Sequence, residues 1–447
     1  MSKLKGTLRA LCLLTIGLSS LAYSLPVRFG SPDMDGATCV DVDPVSGSVY
    51  VAGSYYTNKL VKSQMCLNKY TAAGVLVWSR LYGNKGEDTA LDVKVSPTTG
   101  EIYVTGRVEN ALTGHTDCAT LKYSPGGVRL SSHLYGGALD DAGKKITLDG
   151  VGNCLVAGYA SQSASGKDIM LLKYSPGLTL TLPVVLTSAS GDDEANAIAV
   201  NSNGAYLACK MTNSAGNQDG FLARISLVSG AVLGNRLFAG TASANDQLVD
   251  VAYDAAGSVY VAGTVDDTVG GQMIVAGKFN PNLAVTNWVS PFNAVAGTTD
   301  DFANRLKVTS TDVYVAGASF GVTGLGADAV MVSFDPLTGG LRPGWPWFYH
   351  YLDHDEVKDF VVDPVSGSIF AGLYTDGFPS HDYATIRING GLTSWVNRYH
   401  YYSHDEMSEV ALSLTGNPII TGRSEGPGTS FDWATGMCDA TTGSDVW

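Results

Sequence analysis

Two stretches of this chain hold most of the residue types able to do polar chemistry. One reads Tyr349-His350-Tyr351-Leu352-Asp353-His354-Asp355-Glu356, the other Tyr399-His400-Tyr401-Tyr402-Ser403-His404-Asp405-Glu406. With His381 they take five of the 7 histidines. Imidazole beside carboxylate binds a transition metal or moves protons. In the metal reading a divalent ion sits among His350, His354, His400 and His404. Asp355 and Asp405 then ligate it or orient the imidazoles. Asp355, Glu356, Asp405, Glu406 and His381 are the residues expected to touch a ligand. In the plain reading the two stretches are sister segments of a duplicated unit and share their histidines without purpose. The spacing is not H-E-x-x-H, and no G-x-S-x-G elbow or P-loop is present.

Asp355 and Asp405 also belong to a longer series. An Asp stands at 35, 88, 140, 193, 246, 301, 355 and 405, every 50 to 55 residues. Several have an acidic neighbour: Asp33, Glu87, Asp141, Asp192, Asp300, Asp353, Glu356 and Glu406. A ring of such carboxylates has the oxygen chemistry for Ca²⁺. An Asp repeated at loop-to-strand junctions more simply accepts backbone N–H bonds and fixes the turn. No D-x-D-x-D-G calcium loop occurs.

The elements that position these residues follow from the period. Each unit carries four strand-like segments and no helical pattern; in the second unit these are Thr89–Ser96, Glu101–Gly106, Asp117–Tyr123 and Val128–Tyr135. Turns such as Asp43-Pro44-Val45-Ser46-Gly47 and Ser124-Pro125-Gly126-Gly127 separate them. Eight successive four-stranded antiparallel units predict an all-β, eight-bladed β-propeller, one domain over residues 25–447. The recurring Tyr, Trp and Phe are then packing between blades. The chain ends Gly443-Ser444-Asp445-Val446-Trp447, like Gly74-Val75-Leu76-Val77-Trp78, and lacks the Ser-Arg-Leu-Tyr-Gly that follows Trp78. The segment Leu25-Pro26-Val27-Arg28-Phe29-Gly30 matches what is missing and is expected to complete the last blade. Units two to four lack the Trp, and Cys209 replaces the Gly that ends the second strand of unit four. Both departures put local packing in question.

Three runs carry a resemblance: Asp117-Cys118-Ala119-Thr120-Leu121-Lys122-Tyr123-Ser124-Pro125-Gly126-Gly127, Gly257-Ser258-Val259-Tyr260-Val261-Ala262-Gly263 and Val77-Trp78-Ser79-Arg80-Leu81-Tyr82-Gly83. They resemble the β-propeller repeats of secreted and surface bacterial proteins, often abbreviated SBBP. The resemblance spans residues 25–447. It implies the propeller fold and an extracytoplasmic setting, and brings no catalytic set with it.

Composition agrees with that setting. Lys3, Lys5 and Arg9 precede an apolar run from Ala10 to Ala22, and Ala22-Tyr23-Ser24 reads as a cleavage site. Residues 1–24 are therefore expected to be a signal peptide of a secreted, periplasmic or cell-surface protein. Its loss would take the formal charge from −14 to −17. Such a surface repels nucleic acid and anionic lipid, so neither is an expected partner. No membrane span is expected, and the chain reads as a monomer. Cys39, Cys66, Cys118, Cys154, Cys209 and Cys438 lack metal-ligand spacing and read mostly as small buried apolar residues. The functional expectation is a non-catalytic binding or scaffold propeller with a protein, glycan or small molecule on its loop face. The alternative is a metal-dependent hydrolase or lyase working at blades seven and eight.

Overall fold

The computed structural model describes residues 27–31, 33–58, 62–83, 86–188, 191–240, 245–266, 271–294, 299–322, 326–376, 381–399, 404–426 and 430–447. Among them lie eight four-stranded antiparallel sheets and no helix, the eight-bladed β-propeller that the period predicts. The seven earlier blades each use four consecutive strands; blade one, for example, comprises Gly36–Val42, Val49–Asn58, Lys62–Tyr70 and Leu76–Tyr82. Blade eight takes Asp405–Leu412, Pro418–Glu425 and Phe431–Met437 from the C-terminal end and Val27–Phe29 from the N-terminal end. Val27, Arg28 and Phe29 pair with Thr435, Ala434 and Trp433. The ring is thus closed within one blade, which covers the edge that Phe431–Met437 would otherwise expose. Arg28 reaches Asp432 at 2.8 Å, and the Phe29 ring lies 5.2 Å from Tyr55 and 5.7 Å from Trp433.

The first strand of each blade lines the central channel, and each one is bulged, as between Ala37 and Cys39 or Ala90 and Asp92. A bulge brings two backbones unusually close. The glycine of the V-A-G run makes room for this. A Cβ on Gly53, Gly106 or Gly422 would lie 2.0 Å from a carbonyl oxygen of the first strand. The bulge also re-aims N–H groups, and carboxylates of the preceding blade take them up. Val95 donates its N–H to Asp41, Ile146 to Asp92, Leu306 to Asp250, Val410 to Asp359 and Val40 to Glu409. Arg305 adds an ion pair to Asp359 at 3.1 Å. Burial, with Asp359 and Asp92 nearby, pushes the Glu409 carboxyl above its ordinary range.

Aromatic wedges join the outer parts of the blades. Trp78, Trp288, Trp395 and Trp447 donate their indole N–H to a turn carbonyl of the next blade, at Pro125, Pro336, Ala440 and Ala72. Each indole lies over a glycine of that turn with positive φ: Gly127, Gly339, Gly443 and Gly74. In blades two, three and four the Trp position holds Ser131, Leu182 and Gly234, which pair with Lys122, Lys173 and Arg224. Cys209 is fully buried against Leu155, Ala157 and Leu207. All six cysteines among the described residues are buried and unbridged, and burial raises their thiol pKa values.

Candidate functional site

The repeated Asp begins or immediately precedes the first strand. In blade three the register corrects the sequence reading: Asp141, not Asp140, occupies the repeated place. Asp141 accepts the N–H groups of Gly137 and Ser161, as Asp35 does those of Ser31 and Tyr56, while Asp140 binds Thr116. Asp193 and Asp246 each accept a matching pair, from Ser188 and Thr212 and from Gly240 and Asp266. Asp355 accepts the Tyr351 N–H and the Thr375 hydroxyl. Asp355 and Asp405 are both 0% exposed. Burial raises the carboxyl pKa of Asp35, Asp141, Asp246, Asp301 and Asp355. These side chains hold the entering loop and the end of the second strand to the first strand.

The histidines divide. His350 turns to the fully buried Asp328, 2.7 Å from its Nδ1, and stands 4.0 Å from Asp355. His400 lies outside the described residues. His354, His381 and His404 gather on the loop face between blades seven and eight, around Tyr374. The His381 ring centroid is 4.9 Å from that of Tyr374 and 5.0 Å from that of His404; that of His354 is 5.7 Å from Tyr374. Among the described residues no three His, Cys, Asp or Glu side chains are grouped so as to hold a metal ion.

A cleft of about 520 Å³ opens there, lined by His354, Glu356, Lys358, Tyr374, Asp376, His381, Glu406 and Met407. Asp376, at the end of the second strand of blade seven (Ile369–Asp376), ties it together. Its carboxylate meets His381 Nδ1 at 2.5 Å and the His354 N–H at 3.1 Å. Glu356 meets Lys358 at 2.6 Å and the Asn304 amide at 2.6 Å, with His354 Nε2 at 3.7 Å. Burial opposes the Glu356 charge, but His354, Lys358 and Asn304 outweigh it and bring its pKa down to about 2. The Glu356 carboxylate beside it in turn raises His354 above the ordinary imidazole value, against burial. Burial, then the charges of Asp376, Glu406 and Glu356, raises Tyr374, so its hydroxyl stays protonated. Glu406 is held by Arg423 at 2.6 Å.

Of the residues singled out in the sequence, His354, Glu356, His381 and Glu406 line one cleft and His404 flanks it. Lys358, Tyr374 and Asp376 were missed. A signal for Tyr374 was present: the matching places in the eight blades read Ser54, Arg107, Tyr159, Lys210, Thr264, Ala318, Tyr374 and Arg423. That column holds six residue types in eight blades, with Tyr and Arg each used twice, while the neighbouring Gly column largely repeats. A position released from the shared packing plan is free to carry a site.

No family model matches the chain, and no curated protein matches it. Solved structures do. A europium-containing methanol dehydrogenase superposes with TM-score 0.50 at 10% identity, covering 78% of this chain and 76% of that one. A putative 6-phosphogluconolactonase from Bacteroides uniformis ATCC 8492 gives 0.45 at 11%, covering 79% and 99%. The periplasmic gluconolactonase PpgL of Pseudomonas aeruginosa gives 0.46 at 13%, covering 78% and 98%. Likeness at this identity concerns the propeller fold alone.

Proposed function

We propose that this chain is an exported, non-catalytic binding propeller whose ligand occupies the cleft between blades seven and eight. The observation that carries the reading is the lining itself. Three aromatic rings, Tyr374, His354 and His381, stand beside three carboxylates, Glu356, Asp376 and Glu406, in one open cleft. Rings offer flat faces to the C–H faces of a sugar, and carboxylates accept from its hydroxyls. A glycan or another polyhydroxylated small molecule therefore suits the cleft. Export is supported by the basic and apolar pattern of residues 3–24 and by the resemblance to secreted propeller repeats. Titration calorimetry with maltose, cellobiose and chitobiose tests the assignment. Binding of at least one, abolished by Tyr374→Ala with the fold intact, is expected. Equal heats for both proteins would remove the cleft from consideration.

A second reading has one observation behind it. The Asp376–His381 contact fixes one imidazole nitrogen on a carboxylate, the arrangement that prepares a histidine for general acid–base work. Hydrolase or lyase turnover that disappears in His381→Gln, while oligosaccharide binding persists, would favour it over the binding module.

A further inference from the structure

A second cluster lies four blades away around the ring, at the seam of blades three and four. Its centre is Glu194, at the start of the first strand of blade four (Glu194–Asn201), where blades seven and eight carry Glu356 and Glu406. Glu194 is 8% exposed. Three lysines from three different strands converge on it. Lys144, from the first strand of blade three, is 2.7 Å away; Lys210, from the second strand of blade four, 3.0 Å; Lys167, from the third strand of blade three, 3.7 Å. Their side chains remain 23 to 33% exposed, so the cluster is open to solvent on one side. Lys167 also lies 4.3 Å above the Tyr159 ring, and the Arg107 guanidinium of blade two acts on the Tyr159 phenol.

The arrangement is unbalanced. Each ammonium has three N–H donors and no acceptor. Lys144 spends donors on Glu194 and on the Asn196 side-chain oxygen, at 2.7 Å each, and Lys210 on Glu194. Lys167 stands at ion-pair distance from Glu194. Nearby carboxylates are engaged elsewhere: Asp192 accepts the Lys167 backbone N–H, and Asp140 accepts from Thr116. Several ammonium donors thus converge on a place where one carboxylate and the Asn196 amide oxygen supply the acceptors. Gathering three like charges is costly unless anions balance them. Burial lowers the Lys144 pKa; Glu194 works against that, and repulsion from Lys210 and Lys167 adds to it. The chain as a whole has 42 Asp and Glu against 28 Lys and Arg, so this concentration of cations runs against its composition.

We propose that Lys144, Lys167 and Lys210 form, beside Glu194, a binding site for the oxyanion group of a small ligand: a carboxylate, sulfate or phosphate. Charge-assisted N–H···O bonds from convergent lysines supply the affinity. Glu194 holds the ammonium groups together and competes with the ligand for them.

The site is tested by titrating the full chain with glucuronate, sodium sulfate and sodium phosphate at constant ionic strength, which separates the three sources of an oxyanion. The wild type should bind at least one of them. Lys167→Met leaves Glu194 with two lysines and should weaken binding about tenfold, the loss of one charge-assisted hydrogen bond. Glu194→Gln removes the competing charge and should tighten binding, an effect a purely structural carboxylate would not produce. Circular dichroism establishes that both variants are folded, and should Glu194→Gln unfold, Lys167→Met still decides. Absence of heat with all three anions, an unchanged constant in Lys167→Met, or weaker binding in a folded Glu194→Gln would overturn the assignment. The sugar cleft is untouched by these variants, so the two proposals fail separately.

Discussion

Gly234 and Leu283 exchange the parts that Trp78 and Gly127 play elsewhere in the ring. In the common seam a Trp on the fourth strand lies over a positive-φ glycine in the next blade's turn; a Cβ on Gly127 would come 2.9 Å from the Trp78 ring. Between blades four and five the Trp position is Gly234, and the turn position is Leu283, at φ 59° and 1% exposed. A Cβ on Gly234 would sit 3.5 Å from Leu283 Cβ and 2.8 Å from the Asn282 carbonyl oxygen. The large side chain has crossed the seam. Between blades two and three Ser131 faces the same change, with Leu178 at φ 64° in the turn. The missing tryptophans of blades two and four are therefore compensated, and the two leucines accept a strained backbone conformation to fill the space.

The exchange predicts a coupled pair. Leu283→Gly should destabilise by about 2–4 kcal/mol through the cavity it leaves, somewhat reduced by relief of the positive φ. Gly234→Trp alone should also destabilise, because the seam is already full. The double variant rebuilds the common wedge and should be more stable than the sum of the single losses predicts. Urea denaturation of the four proteins measures this; strict additivity would refute the exchange.

Ring closure rests on few residues. Phe29 packs against Tyr55 and Trp433, so Phe29→Ala should cost roughly 1–3 kcal/mol, less than a fully buried Phe. Removing residues 27–30 takes away the whole fourth strand of blade eight and should lower Tm more than Phe29→Ala does. An unchanged Tm for the deletion would mean that the Val27–Phe29 pairing does not hold the ring.

The Glu356–His354 pair predicts opposite pH limbs. His354 has a folded pKa above 6.5, so its contribution is complete below the unfolded imidazole value and is lost as pH rises through the folded one. Glu356 has a folded pKa of about 2 against 4.5, so its contribution is present above 4.5 and is lost as pH falls towards 2. NMR titration should find His354 raised in the wild type and returned towards 6.5 in Glu356→Gln. A His354 pKa that Glu356→Gln leaves unmoved would show that the charge pair does not operate in solution.

Zinc offers a separate check on the histidines. His350 turns to the buried Asp328, and among the described residues no three His, Cys, Asp or Glu side chains are grouped so as to hold an ion. Thermal melts with ZnCl₂ should therefore shift no more for the wild type than for His354→Ala/His404→Ala. A rise of Tm confined to the wild type would restore a metal set drawn from His350, His354, His400 and His404.

The primary structure alone determined the architecture. Eight Asp-led units at a constant period, each with turn glycines and alternating apolar residues, have one economical way to bury their faces, and even the pairing of Val27–Phe29 with the final blade follows from which half-unit each end carries. Tertiary structure decided what the period cannot express. A repeat says which column a residue occupies but not what the neighbouring blade places beside it. The register put Asp141 where the count put Asp140. It drew His354, His381 and His404 together while sending His350 to Asp328. It brought Lys144, Lys167 and Lys210 from three strands onto Glu194, and set Leu283 against Gly234. Each is a contact between residues on different segments, some within a blade and some across a seam, and a side chain's chemistry depends on those partners rather than on its place in the unit.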